Sequence, residues 1–228
     1  MVTYLTVYQV QQLEQAASNP RDKLLIRLLF RLGCRVSEAL GLTVDDIDMP
    51  NSQIKIKHLK NRINHYCPDC HASLAAKHSH CSGCGVKITE TQKKAITLHK
   101  QRIIPVDRET LARIQEYITA SKLKIKNGKQ LLFGINRHRA WQIITRCARD
   151  AGLPEIINSE TGKVHHVSPH RLRDAFAVNA VKHDDSSNGL RQLQQHLGHT
   201  NINTTVHYVK VSGEETKLWY ESLWQTSP

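Results

Sequence analysis

Between Arg21 and Leu32 the apolar residues Leu24, Leu25, Ile26, Leu28, Leu29 and Leu32 fall at helical spacing, which predicts a core helix. Asn19-Pro20 separates it from an earlier helix that Thr6 and Gln9 open as a capping box and that runs to about Ala17. Gly33 ends the core helix, and Ser37 is expected to cap a short one from Glu38. The period then changes. Ile54-Lys55-Ile56-Lys57 alternates apolar and basic residues within Gln53 to Leu59, as in a strand with one wet, positive face. Ala95 to Leu98 and Arg102 to Val106 read as a second strand pair. Helices follow over Asp107 to Ala120 with an acidic cap, Arg137 to Ala151 closed by Gly152 and Pro154, Pro169 to about Val181, and Leu190 to Leu197. Gln130 to Phe133 is a short extended piece, and Asn203 to Val209 forms a last element carrying Tyr208. This pattern predicts an α+β fold, mostly helical, with a small antiparallel sheet. No repeat, low-complexity tract or clear linker divides the chain, so residues 1–228 are expected to form one domain, with an insertion at 62–92.

The formal net charge of +12 attracts a polyanion and makes nucleic acid the default partner, with solubility alone as the plainer reading. No stretch approaches the ~18 apolar residues of a membrane span, and Met1 to Val10 lacks the order of a signal peptide. No membrane partner is expected. The expected location is the cytoplasm.

Four of the 6 cysteines form two pairs, Cys67-Pro68-Asp69-Cys70 and Cys81-Ser82-Gly83-Cys84. Two residues between thiolates let a single turn aim both sulfurs at one ion, and Gly85 suits a tight turn after the second pair. Zinc is the expected ligand, iron in a rubredoxin-like site the second and disulfides the third. Four thiolates fill a tetrahedral site, so the ion would be structural, with no open position for a substrate. His71, His78 and His80 are read as exposed or supporting residues. Cys34 and Cys147 sit among apolar residues as inert core thiols. Positive charge directed at DNA then comes from Lys55, Lys57, Arg62, Lys100 and Arg102, among other basic residues near the insertion.

A polar cluster remains. Gly33-Cys34-Arg35-Val36-Ser37-Glu38-Ala39-Leu40 places one arginine in an apolar stretch; His170-Arg171-Leu172-Arg173, Leu197-Gly198-His199 and Tyr208 follow. A folded domain rarely buries arginines without anionic partners. Two arginines, two histidines and a tyrosine are the parts needed to hold a phosphodiester and attack it without metal. Each has an ordinary reading: Arg35 pairing with Glu38, His170 capping a helix, Tyr208 as an interface aromatic. In this order and spacing, however, the chain resembles the catalytic domain of the tyrosine recombinases, or phage-type integrases, from Leu5 to about Val211.

The resemblance assigns the first catalytic arginine to Arg35, the HxxR box to His170 and Arg173, the leucine-glycine-histidine box to His199, and the nucleophile to Tyr208. The family's catalytic lysine, in a turn after a basic strand, falls on Lys60, with Lys57 and Lys100 as the next candidates. It implies a site-specific recombinase that cleaves DNA to a 3′-phosphotyrosine and a free 5′ hydroxyl, then rejoins it. His170 would take the tyrosine proton, His199 donate to the phosphate and Lys60 protonate the departing 5′ oxygen. Four protomers on two duplexes are implied, with Leu218-Trp219-Tyr220 and Leu223-Trp224 docking on a neighbour or on the chain's own core. Two departures from the family are expected: no helical DNA-clamping domain ahead of Arg35, and a cysteine insertion in the strand hairpin. The alternatives are a non-catalytic zinc-knuckle DNA-binding accessory protein and a type IB topoisomerase-like enzyme or hairpin resolvase.

Overall fold

The computed structural model describes residues 3–57, 63–74, 79–88, 94–97, 101–157, 161–212 and 220. They form two compact units, one of Met1–Ile56 with Arg102–Pro228 and a smaller one of Lys57–Gln101. The larger unit is built on helix α2 (Pro20–Arg31), preceded by α1 (Val7–Gln15) and followed by α3 (Val36–Leu40). Asn19 caps α2 by accepting from the Asp22 amide at 3.0 Å, and Pro20 occupies the first turn, where its missing N–H costs nothing. Leu24 to Phe30 are all buried, so α2 is covered on every side. It packs against α1, α3, α4 (Arg108–Ala120) and α6 (Pro169–His183). Thr6 and Gln9 close the capping box at the start of α1 as expected.

Strands β1 (Ile47–Asp48), β2 (Gln53–Lys57) and β6 (Gln101–Pro105) form a small sheet in that order. Ile54 and Ile56 are fully buried while Lys55 and Lys57 are exposed, which is the wet, basic face the alternation predicts. The second expected strand pair is corrected. β6 joins the β2 sheet, whereas β5 (Lys94–Thr97) pairs with β3 (Ile63–Tyr66), which also pairs with β4 (Ser73–Leu74). Apolar alternation specifies a face but not a partner, so the two strands were assigned to each other only because they are neighbours in sequence.

After α4 a hairpin of β7 (Lys124–Lys126) and β8 (Lys129–Leu131) turns at Asn127-Gly128. The sequence reading took only its second arm. Asn-Gly is a strong hairpin signal, and Lys122-Leu123-Lys124-Ile125-Lys126 alternates basic and apolar residues ahead of it, so the first arm was legible in the residue order even though β7 is exposed throughout. Helix α5 (Arg137–Asp150) leads to β9 (Ile156–Ile157) and β10 (Val164–His165), then to α6, α7 (Ser187–Leu197) and α8 (Asn203–Ser212). A second apolar cluster of Ala177, Val178, Val181, Leu193, Leu197 and Tyr208 fastens α6, α7 and α8 together. Phe176 packs against both this cluster and the main core. The fold is mixed α+β and mostly helical, as predicted. Among the described residues no helix is long and apolar enough to cross a membrane.

Candidate active site and metal centre

Arg173 is almost wholly buried on α6, yet among the described residues no carboxylate holds it. Its Nη1 donates to the Gly33 carbonyl at 2.7 Å, and its Nη2 donates to the Leu197 carbonyl and to His199 Nε2, both at 2.9 Å. Two local backbone devices aim those carbonyls. Gly33 has φ +54, and a Cβ there would strike the Phe176 ring, so the turn after α2 requires glycine. Gly198 ends α7 in the left-handed region at φ 68, and the His199 amide returns to the Gln194 carbonyl at 3.0 Å. The Leu-Gly-His box is thus a helix stop. Leu197 anchors in the core, Gly198 turns the chain, and His199 is delivered to the arginine.

A guanidinium only donates, so His199 Nε2 accepts from Arg173 and the ring proton lies on Nδ1, donated to Thr205 Oγ1 at 3.0 Å. Burial, then the charges of Arg173 and Arg35, push the His199 imidazole down to about 4. The donation to phosphate expected of His199 is not set up in this arrangement, because Nε2 already faces Arg173.

Arg35 is two-fifths exposed at the start of α3. Glu38 is buried beneath it and accepts from the Arg35 amide at 2.9 Å and from Arg35 Nη1 at 3.0 Å. That carboxylate caps the helix in place of Ser37. Arg102, reaching in from β6, donates to both Glu38 oxygens at 3.2 and 2.8 Å and to the His196 carbonyl at 2.8 Å. Burial raises the Glu38 carboxyl, but the Arg102 guanidinium outweighs it and holds the group down at about 2. Arg102 was expected to meet DNA; its guanidinium is committed instead to the carboxylate that braces Arg35. The strand pattern explains the placement, since Arg102 shares a face with buried Ile104 while Ile103 points outward.

Tyr208 on α8 is buried, with its ring stacked over His199 at 6.3 Å between centroids. Its hydroxyl donates to Asp174 Oδ1 at 3.1 Å. Burial and the Asp174 charge raise the phenol well above its ordinary value. Asp174 Oδ2 accepts from Arg171 Nη1 at 2.9 Å. His170, expected to be the tyrosine's proton acceptor, is largely exposed and lies 3.7 Å from Asp174 Oδ1. Arg35, His170, Arg173, Asp174, His199 and Tyr208 all line one cavity of about 440 Å³. Asp174, Glu38 and Thr205 were missed as functional candidates. Asp174 follows Arg173 directly and sits one helical turn after His170, a spacing that was available as a signal.

Lys60, Arg62 and Lys100 lie outside the described residues, as do Leu218, Trp219, Leu223 and Trp224. Lys55 and Lys57 are exposed on β2.

In the smaller unit, Cys67, Cys70, Cys81 and Cys84 bring their sulfurs within 4.8 Å of one another. Cys67 Sγ and Cys84 Sγ are 3.7 Å apart, Cys70 Sγ and Cys81 Sγ 3.4 Å. Four sulfurs around an ion at about 2.3 Å stand roughly 3.8 Å from one another, so the set fits a tetrahedral metal. The two knuckles repeat one backbone design. The Cys67 amide donates to the Ala72 carbonyl and the Cys81 amide to the Val86 carbonyl, both at 2.9 Å. His71 at φ 60 and Gly85 at φ 76 make the matching left-handed turns. Among the described residues of this unit, Cys67, Leu74, Cys81 and Ile88 form the buried cluster.

The phage integrase family model matches residues 3–215. The tyrosine recombinase XerD of Neisseria meningitidis serogroup B is 29% identical over 234 residues, covering 97% of this chain and 61% of that protein. The tyrosine recombinase XerA of Pyrococcus horikoshii is 24% identical, covering 91% of this chain and 56% of that protein. The chain therefore spans about three-fifths of the length of these curated relatives. Among solved structures, the XerA recombinase superposes with a TM-score of 0.64 at 21% identity, over 100% of this chain and 67% of that one. The catalytic domain of bacteriophage HP1 integrase gives 0.53 at 17% identity, over 100% of both chains. These likenesses agree with the α+β architecture, and the family match runs through all four boxes that meet at the cavity. The chain belongs to the phage integrase family, that of the tyrosine recombinases.

Proposed function

We propose that this protein is a site-specific DNA recombinase that breaks and rejoins strands through a covalent bond between Tyr208 and a 3′ phosphate. The observation that carries the reading is the shared cavity: two guanidiniums and a phenol line one space of about 440 Å³, roomy enough for a phosphodiester. Arg35 and Arg173 hold the non-bridging oxygens of the scissile phosphate and offset the charge that grows in the transition state. Arg173 is pre-positioned by backbone carbonyls and Arg35 by Glu38, so neither needs reordering when DNA arrives. His199 braces Arg173 through its neutral ring, and Lys60 protonates the departing 5′ oxygen. The covalent intermediate conserves the bond energy, so rejoining needs no nucleotide and no catalytic metal.

DNA is the substrate this charge favours. Lys55, Lys57, Arg62 and Lys100 contribute to its grip. XerH has been solved bound to a palindromic difH substrate in a post-cleavage complex, and the Tn1549 transposon integrase with transposon right end DNA. By analogy, four copies of this chain act on two duplexes. Zinc held by Cys67, Cys70, Cys81 and Cys84 supports the smaller unit, which forms an insertion at about 62–92.

A suicide half-site incubated with the protein in buffer without added divalent cations tests the reading. A covalent adduct is expected, and Tyr208→Phe should abolish it. An adduct that survives this substitution would defeat the assignment. Binding with no adduct would favour a DNA-binding accessory protein, and relaxation without exchange between sites a topoisomerase.

A further inference from the structure

A phenol buried beside a carboxylate stays protonated at rest, so Tyr208 cannot wait in the cavity as a ready phenolate. Its proton must leave as the new oxygen–phosphorus bond forms. The group already on that proton is Asp174, through Oδ1 at 3.1 Å. The other carboxylate oxygen is held by Arg171 Nη1 at 2.9 Å, which fixes the carboxylate plane and leaves Oδ1 turned to the tyrosine. His170 Nε2 stands 3.7 Å from the same Oδ1, beyond hydrogen-bond distance.

Resting on the reading of Tyr208 as nucleophile, we propose that Asp174 is the catalytic proton acceptor of this site and that His170 acts only through Asp174, as a positioning residue. In cleavage, the Tyr208 oxygen bonds to phosphorus as its proton passes to Asp174 Oδ1. The phosphorus–O5′ bond breaks, and the 5′ oxygen takes a proton from an ammonium donor, assigned above to Lys60. In rejoining, the 5′ hydroxyl returns that proton to the amine and attacks phosphorus, while Asp174 gives its proton back to the leaving phenolate. Atoms and charge balance over the cycle. Protonating Asp174 also removes a negative charge from beside the phosphorane just as the phosphorane gains one.

Asp174→Asn tests this, since the amide keeps the shape and an oxygen able to accept from Tyr208 but takes up no proton. Single-turnover adduct formation on the half-site should fall on the order of 10²–10⁴-fold, with DNA affinity within about twofold of the parent. A 5′-bridging phosphorothioate, whose thiolate leaves without a proton, should rescue Lys60→Ala but not Asp174→Asn. His170→Gln should lose less than Asp174→Asn, and Asp174→Glu, which keeps a carboxylate, should recover most of the rate. Asp174→Asn cleaving as fast as the parent, or faster, would overturn the proposal and make Asp174 a latch or a bystander. So would phosphorothioate rescue of Asp174→Asn, or a larger loss in His170→Gln. If Asp174→Asn folds poorly, Asp174→Glu decides: a DNA-binding Glu variant without cleavage overturns the assignment. An adduct in Tyr208→Phe would sink the underlying reading as well, whereas loss of adduct there with normal Asp174→Asn cleavage sinks only this inference.

Discussion

The cavity and the cysteine unit both gather polar side chains, but they satisfy them from opposite directions. Around the cavity the protein answers its own groups. Arg173 is met by two carbonyls and a histidine, Glu38 by two arginines, and Tyr208 by Asp174. In the cysteine unit, beyond backbone amides such as Gly83 donating to Cys81 at 3.2 Å, the sulfurs have mainly one another. The first arrangement can be assembled before substrate arrives, because a large apolar core orders the helices that carry it. The second gathers four thiols placed to ligate one ion, whose binding would stabilise the turns that carry them.

Removing the metal should separate the two regions most sharply. Structural zinc in small modules contributes about 10–16 kcal/mol, so a strong chelator should unfold 57–101 while leaving the helical unit folded. Limited proteolysis with mass spectrometry would show cuts inside 57–101 and protection of α2 and α6. Elemental analysis of the untreated, reduced protein should give one zinc per chain. Collapse of both units together would break the comparison.

Substituting Glu38→Ala should be the largest single change in the helical unit. It leaves Arg102 buried without its carboxylate, a loss of about 3–5 kcal/mol in urea unfolding. The zinc content should not change. A loss near zero would mean that the helix frame, rather than the ion pairs, holds Arg35 in place.

Acid should act on the same region more gently. A histidine whose folded value is depressed takes up protons first in the unfolded chain, so its stabilisation is present above the ordinary value of 6.5 and is lost as pH falls toward about 4. His196, half-buried and also lowered, works in the same direction. The Glu38 contribution is lost only below its ordinary 4.5, down toward about 2, so the two windows can be told apart. Thermal midpoints measured between pH 7 and 4 should fall, and His199→Asn should flatten part of that slope. An unchanged slope in the variant would remove His199 from the account.

The smallest effect tests the repeat of the two knuckles. His71 adopts the left-handed conformation that Gly85 adopts in its counterpart. His71→Gly should stabilise the zinc-loaded unit by up to about 1 kcal/mol, read as slower metal release to a competing chelator. Faster release would show that the histidine side chain contributes something the backbone pattern does not reveal.

Much of this was legible from residue order because it is local. The Thr6 capping box, the Asn19-Pro20 break, the basic face of β2 and the CxxC turns each depend on residues a few positions apart. The cavity was legible as a set of boxes, and its members do meet. Its wiring was not. Arg102 is followed by two consecutive isoleucines, and the residue order does not say which of them faces inward; only burial of Ile104 and exposure of Ile103 decide that Arg102 turns toward Glu38. Asp174 meets Tyr208 because α6 and α8 pack together, and no local rule ties two residues so far apart.

By itself, then, the sequence determined where helices start and stop, which thiols gather into one metal-ligating set and which side chains compose the pocket. Those are short-range matters of period, capping and spacing. Which proton belongs to which acceptor, and which arginine meets a carboxylate rather than solvent, was decided only by tertiary packing. Hydrogen bonds depend on distances of a few tenths of an ångström, and the chain sets those only after distant helices have buried their apolar faces against one another.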